Sequence, residues 1–107
     1  MSLDFTLTTK SGRMVFEKNI THNMTDMAKV AGIYNVLWRP LENRFLTGAD
    51  CVKTIKLGLE RLENDQEYFE KFNSPNGWGT YAIFVPSVRD ILEACKDFET
   101  ALVHAYV

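Results

Sequence analysis

Three short segments of the chain contain side chains suited to ligand binding or acid–base catalysis. The first is Thr21-His22-Asn23, which lies between a predicted strand and a predicted helix. Backbone N–H groups at the start of a helix attract anions, and an imidazole beside an amide can act as a general acid or base. His22 and Asn23 are therefore candidate binding residues, and His22 is also the candidate catalytic residue. The alternative is a polar cluster that only caps the helix.

The second segment runs from Asn76 to Tyr81, has a tryptophan between two glycines and again precedes a predicted helix. Trp78 can stack on a base or a sugar, or anchor a protein partner, and Tyr81 adds a hydroxyl group. Asn76, Trp78 and Tyr81 are thus candidate binding residues. The alternative is a tryptophan that folds back over the core, with the glycines permitting the turn.

The third segment is Trp38-Arg39-Pro40, in which the Arg39 guanidinium can bind a carboxylate or a phosphate through two hydrogen bonds. An exposed ion pair is the alternative for this side chain. The chain lacks the sequence signatures of zinc proteases, dinucleotide and phosphate loops, redox dithiols and serine hydrolases. We therefore expect no metal, no cofactor and no enzyme of a common class.

The sheet that positions these segments can be predicted from the hydrophobic pattern. Phe5 and Leu7 alternate with polar residues, and Ser11-Gly12 is a turn signal, so we predict a hairpin over residues 4–18. The last residues, 102–107, are rich in β-formers and predict a final strand. A terminal strand needs a partner, and the hairpin supplies it.

Between the hairpin and the last strand, apolar residues recur at helical spacing. The predicted helices are Met24 to Ala31, Thr47 to Glu63, a short helix carrying Tyr68 to Phe72, and Thr80 to Asp97 with Pro86 inside it. Thr47 and Asp50 have the spacing of a capping box, and Gly58 indicates a close helix contact. The predicted fold class is α+β: a small antiparallel sheet, made of the N-terminal hairpin and the C-terminal strand, with three to four helices packed on one face.

The 107 residues fit one domain, residues 1–107, and 46% hydrophobic with 24% charged residues is ordinary globular usage. A formal net charge of −2 disfavours nucleic acid as a partner. No stretch approaches the roughly 18 apolar residues that a membrane span needs. The N-terminal residues lack a secretory signal, and Cys51 and Cys95 are expected to be buried free thiols, so we expect a cytoplasmic protein.

Taken together, these segments resemble a group of short proteins of unknown function that are encoded by bacteriophages and prophages. The shared pattern is Thr21-His22-Asn23, Met27-Ala28, Ala31-Gly32-Ile33-Tyr34, Leu37-Trp38-Arg39-Pro40, Tyr68-Phe69, Asn76-Gly77-Trp78-Gly79-Thr80-Tyr81 and Glu93-Ala94-Cys95. The resemblance covers roughly residues 20 to 107. It implies a phage or prophage context and no particular activity.

Three functions are consistent with these residues. We favour a non-enzymatic binding module for a small, nucleotide-like ligand or a host protein, in which His22, Asn23, Trp78 and Tyr81 line one cleft. The first alternative is a structural protein without a ligand, since sheet edges can pair between copies to give a homo-oligomer. The second is a small hydrolase that uses His22 as a general acid or base.

Overall fold

A three-stranded antiparallel sheet with helices on one face forms the domain in the computed structural model, which describes residues 2–107. The strands are β1 (Ser2–Thr8), β2 (Met14–Thr21) and β3 (Leu102–Tyr106). The helices are α1 (Thr25–Ala31), α2 (Tyr34–Trp38), α3 (Gly48–Asn64), α4 (Gln66–Phe69) and α5 (Tyr81–Asp97), and single 3-10 turns lie at His22–Met24, Leu41–Asn43 and Glu70–Phe72. The predicted α+β fold class is confirmed.

The last strand pairs with the N-terminal hairpin as predicted, because β1 is the central strand in the order β2-β1-β3. Phe5 of β1 lies opposite Lys18 of β2 on one side and Ala105 of β3 on the other. Leu3, Phe5 and Leu7 are fully buried on the face that meets the helices. The period-two alternation of β1 therefore directs its apolar side chains into the core.

The opposite face of the sheet, which we call the open face, carries mainly polar side chains, with Met14 and Tyr106 as exposed exceptions. Asn19 donates hydrogen bonds from Nδ2 to Asp4 Oδ1 and to Ser2 Oγ, both at 2.8 Å, and so ties β2 to β1. His104 lies across β1 from Glu17 and stacks on Tyr106 with ring centroids 6.1 Å apart. Because Val103 points into the core, His104 lies on the open face of the sheet.

Helices α3 and α5 pack against each other through small or apolar residues. Cys51 of α3 and Cys95 of α5 are buried free thiols, as predicted. A hydrogen bond with the Cys95 thiol, followed by burial, raises the pKa of Cys51, so this thiol stays protonated. Pro86 lies inside α5, on its exposed side, and the helix continues through it to Asp97. No helix within residues 2–107 has both the length and the apolar character needed to cross a membrane.

The predicted capping box at the start of α3 is confirmed. Asp50 Oδ2 accepts hydrogen bonds from the backbone N–H groups of Thr47 at 3.1 Å and Leu46 at 3.0 Å, and the Thr47 side chain accepts from the backbone of Asp50. These bonds satisfy donors that would otherwise have no partner at the helix start. They favour the charged carboxylate and lower the pKa of Asp50.

We expect Asp50→Asn to lower the free energy of unfolding at neutral pH, with a deficit that shrinks on acidification. Because the folded-state pKa of Asp50 lies below its ordinary value of 3.8, the stabilisation is present above that value and is lost as the pH falls below it. Urea unfolding at a series of pH values measures the difference between the two proteins. Glu60→Gln, exposed on the same helix and outside the capping box, is the control and should leave the free energy of unfolding at neutral pH close to that of wild type. A deficit for Asp50→Asn that persists unchanged in acid would contradict the expectation.

Candidate functional site

Two of the three candidate segments lie in direct contact, and Gly79 makes this contact. A Cβ atom at Gly79 would lie 2.8 Å from Asn23 Cβ and 3.3 Å from Thr21 Cγ2, closer than ordinary van der Waals contact. The backbone of the Asn73–Thr80 loop therefore rests on the 3-10 turn that follows β2, and only glycine allows this approach. Of the four residues expected to line one cleft, Asn23 and Trp78 border the same depression.

The Asn73–Thr80 loop is held in one conformation by its own hydrogen bonds. Asn76 Oδ1 accepts from the Trp78 N–H at 2.9 Å and from Ser74 Oγ at 2.6 Å, which forms an Asx turn. Gly77 follows with a φ of 76°, and the Ser74 N–H closes the loop on the Gly79 carbonyl at 2.8 Å. The amide of Asn76 is thus occupied in shaping the turn that presents Trp78.

Trp78 stands on the surface in the second half of this loop and is 74% exposed. It borders a depression of about 440 Å³ whose other lining residues are Ser2, Asn19, Thr21 and Asn23. These neighbours are uncharged and polar, and those from the strands belong to the open face of the sheet. The structure therefore places Trp78 outside the core and beside a row of hydrogen-bonding side chains. We call Trp78 with these four residues the Trp78 surface.

His22 does not face this surface, because its ring is bonded to Trp38. The Trp38 Nε1–H donates to His22 Nδ1 at 3.0 Å, and Trp38 is buried with 4% exposure. An indole nitrogen only donates, so Nδ1 of the neutral imidazole is the acceptor and its proton sits on Nε2. The nitrogen lone pair that a general base needs is already engaged. His22 therefore fixes the position of Trp38, which also stacks on Tyr34 with ring centroids 5.5 Å apart.

Tyr81 lies in the core and does not contribute its hydroxyl to the Trp78 surface. Its OH donates to the Leu62 carbonyl at 2.8 Å, and its N–H donates to Asn73 Oδ1 at 2.7 Å. Tyr81 starts the apolar stripe of α5, and helical spacing turns it inward together with Phe84 and Val88. Tyr81, a candidate binding residue from the sequence, thus connects α5 to the end of α3 through its hydrogen bond to Leu62.

We expect Tyr81→Phe to lower the free energy of unfolding by about 1–2 kcal/mol, because it leaves the Leu62 carbonyl buried without its donor. Thermal or urea unfolding measures this loss. Tyr68→Phe, which removes a hydroxyl from a more exposed ring, is the matched control. A stability equal to that of the wild type would show that water replaces the hydroxyl, and that Tyr81 is less enclosed than the structure indicates.

Arg39 lies in a different depression from Trp78. Its guanidinium is exposed, 3.6 Å from the Glu42 carboxylate, and the Tyr34 hydroxyl followed by Glu42 raises its pKa. The depression has a volume of about 320 Å³ and lies between the segment that follows α2 and the residues of β3, including Tyr106. The exposed ion pair considered from the sequence is therefore present, and Arg39 stands apart from the Trp78 surface.

Sequence reasoning missed the residues of β1 and β2 that border Trp78. Asn19 and Thr21 alternate with the buried Ile20, so the same period-two rule that placed Phe5 in the core would have placed them on the open face. It also missed Arg61, whose guanidinium donates to the Ala31 carbonyl at 2.8 Å and closes the end of α1.

Within residues 2–107, no group of three or more His, Cys, Asp or Glu side chains is placed to hold a metal ion.

Comparisons of the chain with protein-family models, with curated proteins and with solved structures give no match.

Proposed function

We propose that the chain is a non-enzymatic binding module that engages a protein partner through the Trp78 surface. The observation that carries the proposal is the exposure of Trp78, which is the highest among the exposed large hydrophobic side chains of residues 2–107. Placing a large aromatic ring in water forgoes the free energy that its burial would supply, on the order of 2–3 kcal/mol. Burial in a complex recovers this free energy.

The rigidity of the loop supports the same function. A loop whose backbone is already fixed loses little backbone entropy on binding, so more of its contact energy becomes affinity. Asn76, Gly77 and Gly79 fix the backbone on both sides of Trp78, through an Asx turn, a positive φ and a close contact with Asn23. Tryptophan is also enriched among the residues that dominate protein–protein affinity. The loop has the properties of a pre-formed anchor.

The surroundings of Trp78 favour a protein over a small ligand. Small-molecule sites are concave, mostly apolar and enclose most of their ligand. Here the side chains beside Trp78 are polar, and the tryptophan itself projects into solvent. An apolar centre with a rim of uncharged hydrogen-bonding groups is typical of protein interfaces. Ser2, Asn19, Thr21 and Asn23 are the rim in this proposal.

The hydrolase alternative has less support, because His22 Nδ1 is engaged by Trp38. The resemblance to phage and prophage proteins supports a bacterial host protein as the partner. The buried free thiols are compatible with a reducing compartment, so we place the interaction in the cytoplasm.

The test compares wild type with Trp78→Ala, each purified through the same tag after expression in bacterial cells. We expect the free energy of unfolding to change by less than about 0.5 kcal/mol, because Trp78 is largely exposed. We also expect a partner that co-purifies stoichiometrically with wild type to be lost. Tyr68→Ala, at another exposed aromatic residue, is the matched control and should retain the partner.

Two results would contradict the proposal. If Trp78→Ala unfolds or loses several kcal/mol, Trp78 is a core residue in solution. If the partner is retained equally by Trp78→Ala, the binding surface lies elsewhere. A co-purified small molecule in place of a protein, detected as extra mass under native conditions and lost on denaturation, would favour the small-ligand form of the module.

A further inference from the structure

The two edges of the sheet differ in how they are protected against pairing with another chain. Edge strand β2 carries Glu17 and Lys18 at its centre. Suppose that β2 paired antiparallel with β2 of a second copy along its whole length, about a twofold axis. Residues that face each other across an antiparallel pair lie on the same side of the sheet, so the axis must pass through Glu17 or Lys18. Glu17 would then face Glu17, or Lys18 would face Lys18. Such like-charge contacts protect an edge.

Edge strand β3 has no such protection, because residues 102–106 include no Lys, Arg, Asp, Glu or Pro. Its first half is covered by the chain that enters α3. The Val103 N–H donates to the Leu46 carbonyl at 3.0 Å, and the Gly48 N–H donates to the Ala101 carbonyl at 3.0 Å. Beyond Val103 this cover ends, because the covering segment turns away from β3 at residues 44–45. Arg44 takes a φ of 65°, and the Phe45 N–H donates back to the Pro40 carbonyl.

Ala105 is consequently the first residue of β3 with a free backbone edge. Val103 and Ala105 are two apart, so their N–H and C=O groups point the same way, away from β1. Within residues 2–107, the Val103 N–H has a backbone partner on that side and Ala105 has none. An unpaired N–H and C=O on an uncharged strand can accept a further strand.

Exposed apolar side chains gather beside this free edge. Leu41 is 50% exposed, Tyr106 57% and Val107 59%, and all three border the depression that also contains Ala105. Three large exposed apolar residues around one unpaired edge form a patch of the kind that marks an interaction site. A strand added here would cover the patch while it satisfies the backbone groups.

We propose that the free edge of β3 pairs antiparallel with the same edge of a second copy of this chain, about a twofold axis at Tyr106. In this register Ala105 faces Val107 of the second copy through a hydrogen-bonded pair on each side of the axis. The two Tyr106 rings meet on the open face as a cross-strand aromatic pair. Because β3 contains no charged side chain, this pairing places no like charges opposite each other.

The position of Leu46 selects this register over its neighbour. A twofold axis at Ala105 would place Val107 of the second copy opposite Val103, whose N–H already bonds to Leu46. With the axis at Tyr106, none of residues 102–107 of the second copy lies opposite Val103, so these residues leave the Leu46 cover in place. The Trp78 surface borders β2 on the other side of β1, so each copy in the dimer keeps it free.

The test measures mass against concentration by analytical ultracentrifugation for wild type, Tyr106→Lys and Met14→Lys. We expect wild type to shift from monomer to dimer as the concentration rises. Tyr106→Lys sets two like charges at the axis and should weaken dimerisation by at least about tenfold. Met14→Lys, at an exposed position of β2, is the matched control and should dimerise like wild type.

Cysteine cross-linking tests the register itself. Side chains that face each other in a non-hydrogen-bonded antiparallel pair are close enough for a disulfide. Under mild oxidation, Tyr106→Cys should form a covalent dimer faster than Met14→Cys, while the native cysteines stay buried. Wild type that remains monomeric at all concentrations, or equal cross-linking at the two sites, would overturn the proposal. Dimers that depend on Trp78 instead of Tyr106 would also overturn it and would assign the Trp78 surface to self-association.

Discussion

Replacing Trp38 with alanine is expected to lower the free energy of unfolding by about 3–5 kcal/mol, the usual loss for a buried tryptophan. Trp38 is 4% exposed, stacks on Tyr34 with an interplanar angle of 8° and donates its indole N–H to His22. Removing it leaves a cavity at the junction of α2 with the 3-10 turn after β2. For a domain of this size the loss is a large fraction of the total stability.

Two matched variants separate the contributions to this loss. Trp38→Phe keeps part of the ring packing but loses the hydrogen bond to His22 and the volume of the second ring, so we expect an intermediate loss of about 1–3 kcal/mol. Trp78→Ala removes the same side chain at the surface and should change stability little. Urea unfolding followed by circular dichroism suits all three, because it does not depend on tryptophan fluorescence. Equal losses for Trp38→Ala and Trp78→Ala would contradict the distinct environments of the two tryptophans.

Gly58→Ala is the second substitution expected to lower the free energy of unfolding substantially, although helices usually prefer alanine to glycine. Alanine is favoured over glycine inside a helix by about 1 kcal/mol. At Gly58, however, a Cβ would overlap Ile33 Cγ2 and lie 3.2 Å from the Ala31 carbonyl oxygen. Ile33 is fully buried, so its side chain can move only by displacing its neighbours in a densely packed core. We therefore expect a net loss of about 1–3 kcal/mol from overpacking.

The control for Gly58→Ala is Lys53→Ala, at an exposed position of α3. Its stability should stay close to that of wild type. If Gly58→Ala were as stable as wild type or more so, intrinsic helix propensity would outweigh the contact, and α3 would lie farther from Ile33 than the structure shows. Thermal unfolding distinguishes these outcomes by the direction of the change in Tm.

Local patterns explain which parts of the fold could be predicted from the sequence. The hairpin follows from alternation around one turn, and the start of α3 follows from Thr47 and Asp50, which are three residues apart. The close contact at Gly58 was also signalled, since a glycine inside a good helix usually has a packing reason. For the hairpin and the helix cap, the physical cause lies within a few residues of the feature, whereas at Gly58 the sequence signals a contact but not its distant partner Ile33.

The candidate site was less predictable, because its arrangement depends on contacts between distant residues. The His22–Trp38 hydrogen bond joins residues 16 apart and engages the His22 ring outside the Trp78 surface. Tyr81 belonged both to the glycine-rich segment and to the stripe of α5, and nothing local decides between them. In the fold the stripe prevails, because burying the ring and bonding its hydroxyl to Leu62 satisfies both parts of the side chain.

The most direct measurement of the central claim is photo-cross-linking from position 78 in bacterial cells. A benzophenone amino acid replaces Trp78, and the same substitution at Tyr68 serves as the control. We expect a discrete protein adduct from position 78 only, which excess wild type suppresses and excess Trp78→Ala does not. Adducts of equal yield from both positions, or equal suppression by both competitors, would contradict a binding function of the Trp78 surface.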